Sequence, residues 1–101
     1  MNLLSKYIPD YSGHLEKLEY DDLNQVFTVV FYDRPEEFNP VVKLVFYGVT
    51  DYKCEMLDEE DPNCIELAIG FDLMQLGYCL HTDIREVIFN AEKVSKIEIN
   101  T

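Results

Sequence analysis

Residues 25–49 read QVFTVVFYDRPEEFNPVVKLVFYGV, two apolar runs separated by a loop with two prolines and three acidic residues. Both runs are rich in β-branched and aromatic side chains, which is typical of strands. The second run is apolar on both alternating faces, with Val41, Val45, Tyr47 and Val49 on one and Val42, Leu44 and Phe46 on the other. We expect such a strand to lie inside a sheet, covered by a second sheet, a helix or a partner subunit.

The rest of the chain continues this pattern in short segments. It predicts a helix over residues 1–8 and strands over 14–20, 51–56, 64–71, 78–81, 84–90 and 95–99. In 64–71, CIELAIGF, one face carries Ile65, Leu67, Ile69 and Phe71, and we expect that face to be buried. The predicted fold is mainly β: an antiparallel sandwich or partly open barrel of about seven or eight short strands with a short N-terminal helix, in a single domain over 1–101.

The charge of the chain limits the classes of partner. Twenty acidic residues against eight basic ones give a formal net charge of −12 at pH 7, while 48% of the residues are hydrophobic. The apolar content indicates a folded acidic domain rather than a disordered tail. Nucleic acid and anionic membranes are poor partners, because no cluster of lysine or arginine is present to neutralise phosphate. A basic protein fits this charge, and the simpler alternative is that the charge only keeps the domain soluble.

The cysteines and the first residues indicate the cellular compartment. Cys54, Cys64 and Cys79 form no C-x-x-C pair, which predicts reduced thiols and argues against a structural metal site. No cofactor motif is present, so none is expected. Residues 1–8 lack the features of a signal peptide, and no stretch approaches the length of a membrane span. We therefore expect a cytoplasmic protein.

Asp58, Glu59, Glu60 and Asp61 form the charge run of the chain. Four acids in a loop resemble a cation site only superficially, because the alternating ligands and glycine of a calcium loop are missing. The run suits docking to lysine or arginine on a protein partner, since long-range attraction raises association rates. A solvated loop tip explains the same residues.

His81, Asp83 and Arg85 are the candidate lining of a pocket. An imidazole–carboxylate hydrogen bond between His81 and Asp83 would be half of a nucleophilic constellation, with Cys79 on the same strand face as His81. A structural turn explains these residues as well, with Asp83 capping backbone amides and Arg85 paired across a hairpin. We favour the turn, assign no catalytic residue and predict that the protein is not an enzyme.

Three segments carry a family resemblance: Y-I-P at 7–9, L-V-F-Y-G-V at 44–49, and G-Y-C-L-H-T-D at 77–83 followed by R-E-V-I-F-N-A-E at 85–92. Together they resemble small bacterial β-rich domains found among polymorphic-toxin immunity proteins. The resemblance implies a compact, cytoplasmic protein that binds and blocks a basic toxin, often a nuclease. It carries no catalytic residue onto this sequence.

Two other classes of function stay open from the sequence. The second apolar face of residues 41–49 is compatible with a structural or assembly role as a homodimer. A small enzyme centred on His81 and Asp83 would require a concave pocket and a third group within hydrogen-bond reach.

Overall fold

A computed structural model describes residues 3–7, 13–32, 40–59, 65–75 and 77–98 of the chain. These residues form a short helix and two antiparallel sheets of four strands, with orders β1-β2-β3-β8 and β4-β7-β6-β5. The predicted mainly β antiparallel sandwich is thereby confirmed. The elements are α1 (Leu3–Tyr7), β1 (Leu15–Asp21), β2 (Val26–Tyr32), β3 (Pro40–Tyr47), β4 (Thr50–Met56), β5 (Ala68–Met74), β6 (Gly77–Thr82), β7 (Arg85–Asn90) and β8 (Lys93–Glu98).

The core lies between the sheets and is built on β2 and β3, the inner strands of the first sheet. Alternation sends every second side chain of β2 and β3 inward, where it is fully buried against residues of the second sheet. The inward set comprises Phe27, Val29 and Phe31 of β2, Val42, Leu44 and Phe46 of β3, and Phe71, Leu80, Val87 and Phe89 from β5, β6 and β7.

Two valines on the outer face of the first sheet are buried within a single chain. Val30 and Val45 point away from the core, yet both are buried within this chain. Val30 stands in register between Lys17 of β1 and Lys43 of β3, and lysine stems cover apolar neighbours while their charged heads stay in water. Val45, near the middle of β3 on its outward face, is therefore also buried without a partner subunit.

Gly48 takes the chain from the first sheet to the second. Its φ of +64° lies in the left-handed region, and a Cβ there would meet the Glu92 side chain at 2.7 Å. This bend turns the Val49 side chain into the core. The sequence pattern had predicted Val49 on the same strand face as Val45 and Tyr47. The prediction for Val49 was wrong because the alternation ends at Gly48.

The chain returns to the first sheet next to this crossing. Glu92, between β7 and β8, donates its backbone N–H to Tyr47 O, and Val49 donates to Gln25 O in the β1–β2 turn. The turn itself is closed by Asp21, whose carboxylate accepts hydrogen bonds from Leu23 and Asn24. We call this side of the molecule, residues 22–25, 48–51 and 91–92, the turn end.

Strand β5 differs from its prediction in both position and face. It runs over Ala68–Met74 instead of 64–71, and Cys64 lies outside the described residues. A register shift between Ala68 and Gly70 inserts Ile69 as an extra residue opposite β6. The core therefore receives Ala68 and Phe71, while Ile69 is 57% exposed and Leu67 is also exposed.

Strand β1 contacts both edges of the second sheet. At one end of β1, residues 13–15 pair with 66–68 through Leu15 N to Glu66 O and Ala68 N to Gly13 O, both 2.8 Å. At the other end, Tyr20 of β1 stacks on Tyr52 of β4, with ring centroids 4.0 Å apart. Because β5 and β4 are opposite edges of the second sheet, β1 traverses that sheet from edge to edge.

Candidate functional site

The acidic run and the H-T-D turn, far apart in sequence, meet at the end of the second sheet opposite the turn end. Leu57 and Asp58 both donate their backbone N–H groups to Ile84 O, at 2.7 and 3.1 Å. Asp58 and Glu59 are exposed and begin the acidic run; Glu60 and Asp61 lie outside the described residues. The two candidate regions thus form one surface.

A third segment completes this surface. Asp83 donates its backbone N–H to Leu67 O at 3.0 Å, and its carboxylate Oδ1 accepts the Leu67 N–H at 3.1 Å. Residues 57–59, 66–67 and 82–85 therefore lie side by side, and we call them the acidic end. The carboxylate of Asp83 caps a backbone amide, as the structural interpretation of the turn predicted.

A partly buried ion pair anchors the acidic end from within. The Glu66 carboxylate accepts Nε of Arg85 at 2.8 Å and the hydroxyl of Thr82 at 2.5 Å. The Glu66 and Arg85 side chains are only 12% and 16% exposed, so their charges cancel in a partly dehydrated site. Arg85 was predicted to pair across its hairpin, but its described ion pair is with Glu66, 19 residues away.

Sequence reasoning missed Glu66. It occupies a polar position in an alternating strand pattern, where a glutamate ordinarily faces water. Its partners Thr82 and Arg85 come from the β6–β7 turn, and no local spacing relates them to residue 66.

The other acids of this end keep their charge uncompensated. Within the described residues, no basic side chain forms an ion pair with Asp58, Glu59 or Asp83. The arginine at this end, Arg85, already neutralises Glu66. The acidic end therefore presents a concentrated negative potential to solvent.

The negative surface extends onto the outer face of the second sheet. Glu55 of β4 stands directly opposite Glu86 of β7, and Glu86 also stands opposite His81 of β6. Like charges in directly opposed positions of a sheet cost stability. Nδ1 of His81 lies 3.5 Å from Glu86 Oε2.

The structure directs His81, Asp83 and Arg85 to three different places. His81 lies on the outer face beside Glu86, Asp83 holds Leu67, and Arg85 turns toward Glu66. The imidazole–carboxylate contact thus forms with Glu86, not with Asp83.

Cys79 lies on the same outer face as His81. Burial raises the pKa of the Cys79 thiol, and the negative charges of Glu86 and Asp72 raise that pKa further. A thiol with a raised pKa stays protonated at neutral pH, so it is a weak nucleophile. This geometry gives no support to covalent catalysis.

The fold and this site define a class: an acidic antiparallel β-sandwich with one strongly negative end. Among the described residues, no group of three or more histidine, cysteine, aspartate or glutamate side chains is arranged to hold a metal ion, and no helix is long and apolar enough to cross a membrane. Neither a protein-family model nor a curated protein nor a solved structure matches this chain.

Proposed function

We propose that this protein is an acidic protein-interaction domain that binds a basic partner protein through its acidic end. The observation that carries the proposal is the group of exposed carboxylates without ion-pair partners, Asp58, Glu59 and Asp83. Uncompensated charge of this kind attracts an oppositely charged partner over long range and raises its rate of association.

The backbone of the acidic end supports the same function. Asp58 and Asp83 sit on segments fixed by hydrogen bonds to Ile84 and Leu67. A surface that is already ordered loses less conformational entropy on binding than a flexible loop does. The charges are thus presented in a defined arrangement.

We further propose that the partner belongs to the class of basic toxins, such as nucleases, that immunity proteins neutralise. Carboxylates can occupy a cationic cleft built to bind phosphate, and so compete with nucleic acid. We propose that this interaction takes place in the cytoplasm, because the free thiols of Cys54 and Cys79 are compatible with a reducing compartment.

The experiment compares two triple variants of equal net charge. One neutralises the acidic end through Asp58→Asn, Glu59→Gln and Asp83→Asn. The other neutralises exposed acids of the turn end through Asp22→Asn, Asp51→Asn and Glu92→Gln. Each variant and the unaltered protein are used to capture proteins from an extract of the source cell at low and at high salt.

We expect a basic protein to be retained at low salt and released at high salt. The turn-end variant should retain that protein, and the acidic-end variant should lose it. Equal loss by both variants would mean that only net charge matters, and capture of no basic protein would contradict the proposal.

A further inference from the structure

The acidic end also exposes apolar side chains that the core does not use. Leu57 is 49% exposed and Leu67 is 36% exposed, and Met56 beside Leu57 is as exposed as Leu57. Leu57 is bonded through its backbone to Ile84, and Leu67 to Asp83, so the two leucines flank the β6–β7 turn. Two inter-strand spacings, about 10 Å, separate them.

Resting on the proposed function, we infer that Leu57 and Leu67 form an apolar anchor site for the basic partner, which therefore presents large apolar side chains among its lysines or arginines. Protein interfaces combine a more apolar centre with a polar rim, and a few well-packed residues near the centre carry most of the binding energy. Here Asp58 follows Leu57 directly, and Asp83 accepts the Leu67 amide. The rim is thus negative, which selects a partner that is apolar at its centre and positive around it.

The anchor and the rim make different contributions to binding. Attraction between exposed charges weakens as salt is added, whereas burial of leucine side chains does not. A purely basic segment would bind through the rim alone. An amphipathic basic segment would bind more tightly and retain more affinity at high salt.

Two synthetic peptides separate these contributions: one alternates lysine with leucine, and the other alternates lysine with serine at the same length and charge. Each carries a fluorescent dye, and binding to the full chain is followed by fluorescence anisotropy. We expect the lysine–leucine peptide to bind about tenfold more tightly than the lysine–serine peptide, which corresponds to the burial of about one leucine side chain.

The decisive variant is Leu57→Ser, and its matched control is Leu73→Ser at the far end of β5. Leu73 is the same residue type and is 51% exposed, against 49% for Leu57. Leu57→Ser should markedly reduce the difference in affinity between the two peptides, because Leu67 alone remains of the anchor, while Leu73→Ser should keep the tenfold difference. Circular dichroism and size-exclusion chromatography verify that each variant is folded and report its oligomeric state.

The outcomes distinguish failure of the anchor from failure of the proposed function. If the acidic-end triple variant weakens both peptides but Leu57→Ser leaves their ratio unchanged, the anchor is refuted and the acidic docking surface stands. Equal effects of Leu57→Ser and Leu73→Ser, or self-association of the protein that Leu57→Ser abolishes, would also overturn the anchor. If each peptide binds the acidic-end variant and the turn-end variant with the same affinity, the proposed function fails as well.

Discussion

Thr82 shows at the scale of one residue how the acidic end is held. Its side chain is fully buried, and its hydroxyl accepts the backbone N–H groups of Ile84 and Arg85 at 3.2 and 3.0 Å. The same hydroxyl donates to Glu66, whose carboxylate also holds Arg85. One threonine therefore closes the β6–β7 turn and ties it to the segment that leads into β5.

Replacing Thr82 by valine should lower the free energy of unfolding by about 2–4 kcal/mol, because valine keeps the shape but leaves two backbone donors and the Glu66 carboxylate without their partner. Thr82→Ser keeps the hydroxyl and should cost about 1 kcal/mol for the lost methyl group. Urea unfolding of the three proteins measures both values. Equal losses for valine and serine would show that the hydroxyl contributes nothing.

Gly77 is a residue whose replacement we expect to be costly. Its φ is +129°, and a Cβ would lie 2.5 Å from the backbone oxygen of Phe89, which cannot move aside as a flexible side chain would. Gly77→Ala should therefore destabilise the protein by about 2–3 kcal/mol. Gly70→Ala is the control, because the nearest neighbour of its Cβ would be Asp72 Oδ2 at 3.9 Å, and the substitution should be neutral or slightly stabilising. Thermal unfolding compares them, and similar melting temperatures would contradict the predicted strain.

The phenol of Tyr52 makes stability depend on alkaline pH. Burial raises the pKa of Tyr52 from 10.0 to about 12. A pKa raised in the folded state gives stability that is complete below pH 10, the unfolded value, and is lost as the pH rises to about 12. The side chain is only half-buried, so solvent screening limits this contribution to about 1 kcal/mol.

Tyr52→Phe tests this dependence because phenylalanine keeps the ring stack on Tyr20 but has no proton to lose. Urea unfolding from pH 9 to about 11.5 should show a smaller loss of stability in the variant than in the unaltered protein. Parallel pH profiles for the two proteins would mean that Tyr52 titrates normally.

At the scale of elements, β5 shows where the sequence pattern succeeds and where it fails. A strand in this region and the burial of Phe71 follow from alternation. The alternation also placed Ile69 in the core, but the register shift between Ala68 and Gly70 moves Ile69 out. A bulge has no reliable local signature, because it depends on how the partner strand continues.

The bulge predicts unequal costs for two substitutions on the same strand. Ile69→Ser should change the free energy of unfolding by less than about 0.5 kcal/mol, since Ile69 is largely exposed. Phe71→Ala should cost about 3–5 kcal/mol, because Phe71 is fully buried and packs edge-on against Phe46. Chemical denaturation measures both changes in the free energy of unfolding. A large loss for Ile69→Ser would indicate that Ile69 is buried and that β5 has no bulge.

At the scale of the whole molecule, the net charge of −12 opposes compactness. Carboxylates that lie close together repel each other, as Asp58, Glu59 and Asp83 do at the acidic end and Glu55 and Glu86 do in opposed positions of the second sheet. Surfaces kept for binding commonly reduce stability in this way.

Added salt should therefore raise the melting temperature by a few degrees between low and physiological ionic strength, because it screens the repulsion. The acidic-end triple variant should melt higher than the unaltered protein at low salt and respond less to added salt. Differential scanning calorimetry measures both trends. A melting temperature that falls with salt would show that attractive ion pairs dominate the molecule.

The sequence by itself determined the class of fold, the central place of β3 and the two candidate regions. These properties depend on side-chain period, turn chemistry and charge runs, all of which act over a few neighbouring residues. The tertiary structure alone decided that residues 57–58 bond to Ile84 and that Arg85 pairs with Glu66. It also decided that Ile69 is exposed and that Val49 lies in the core. Those outcomes depend on contacts between segments that are distant in sequence. Strand register and the neutralisation of buried charge select these contacts, and both act only once the sheets have packed.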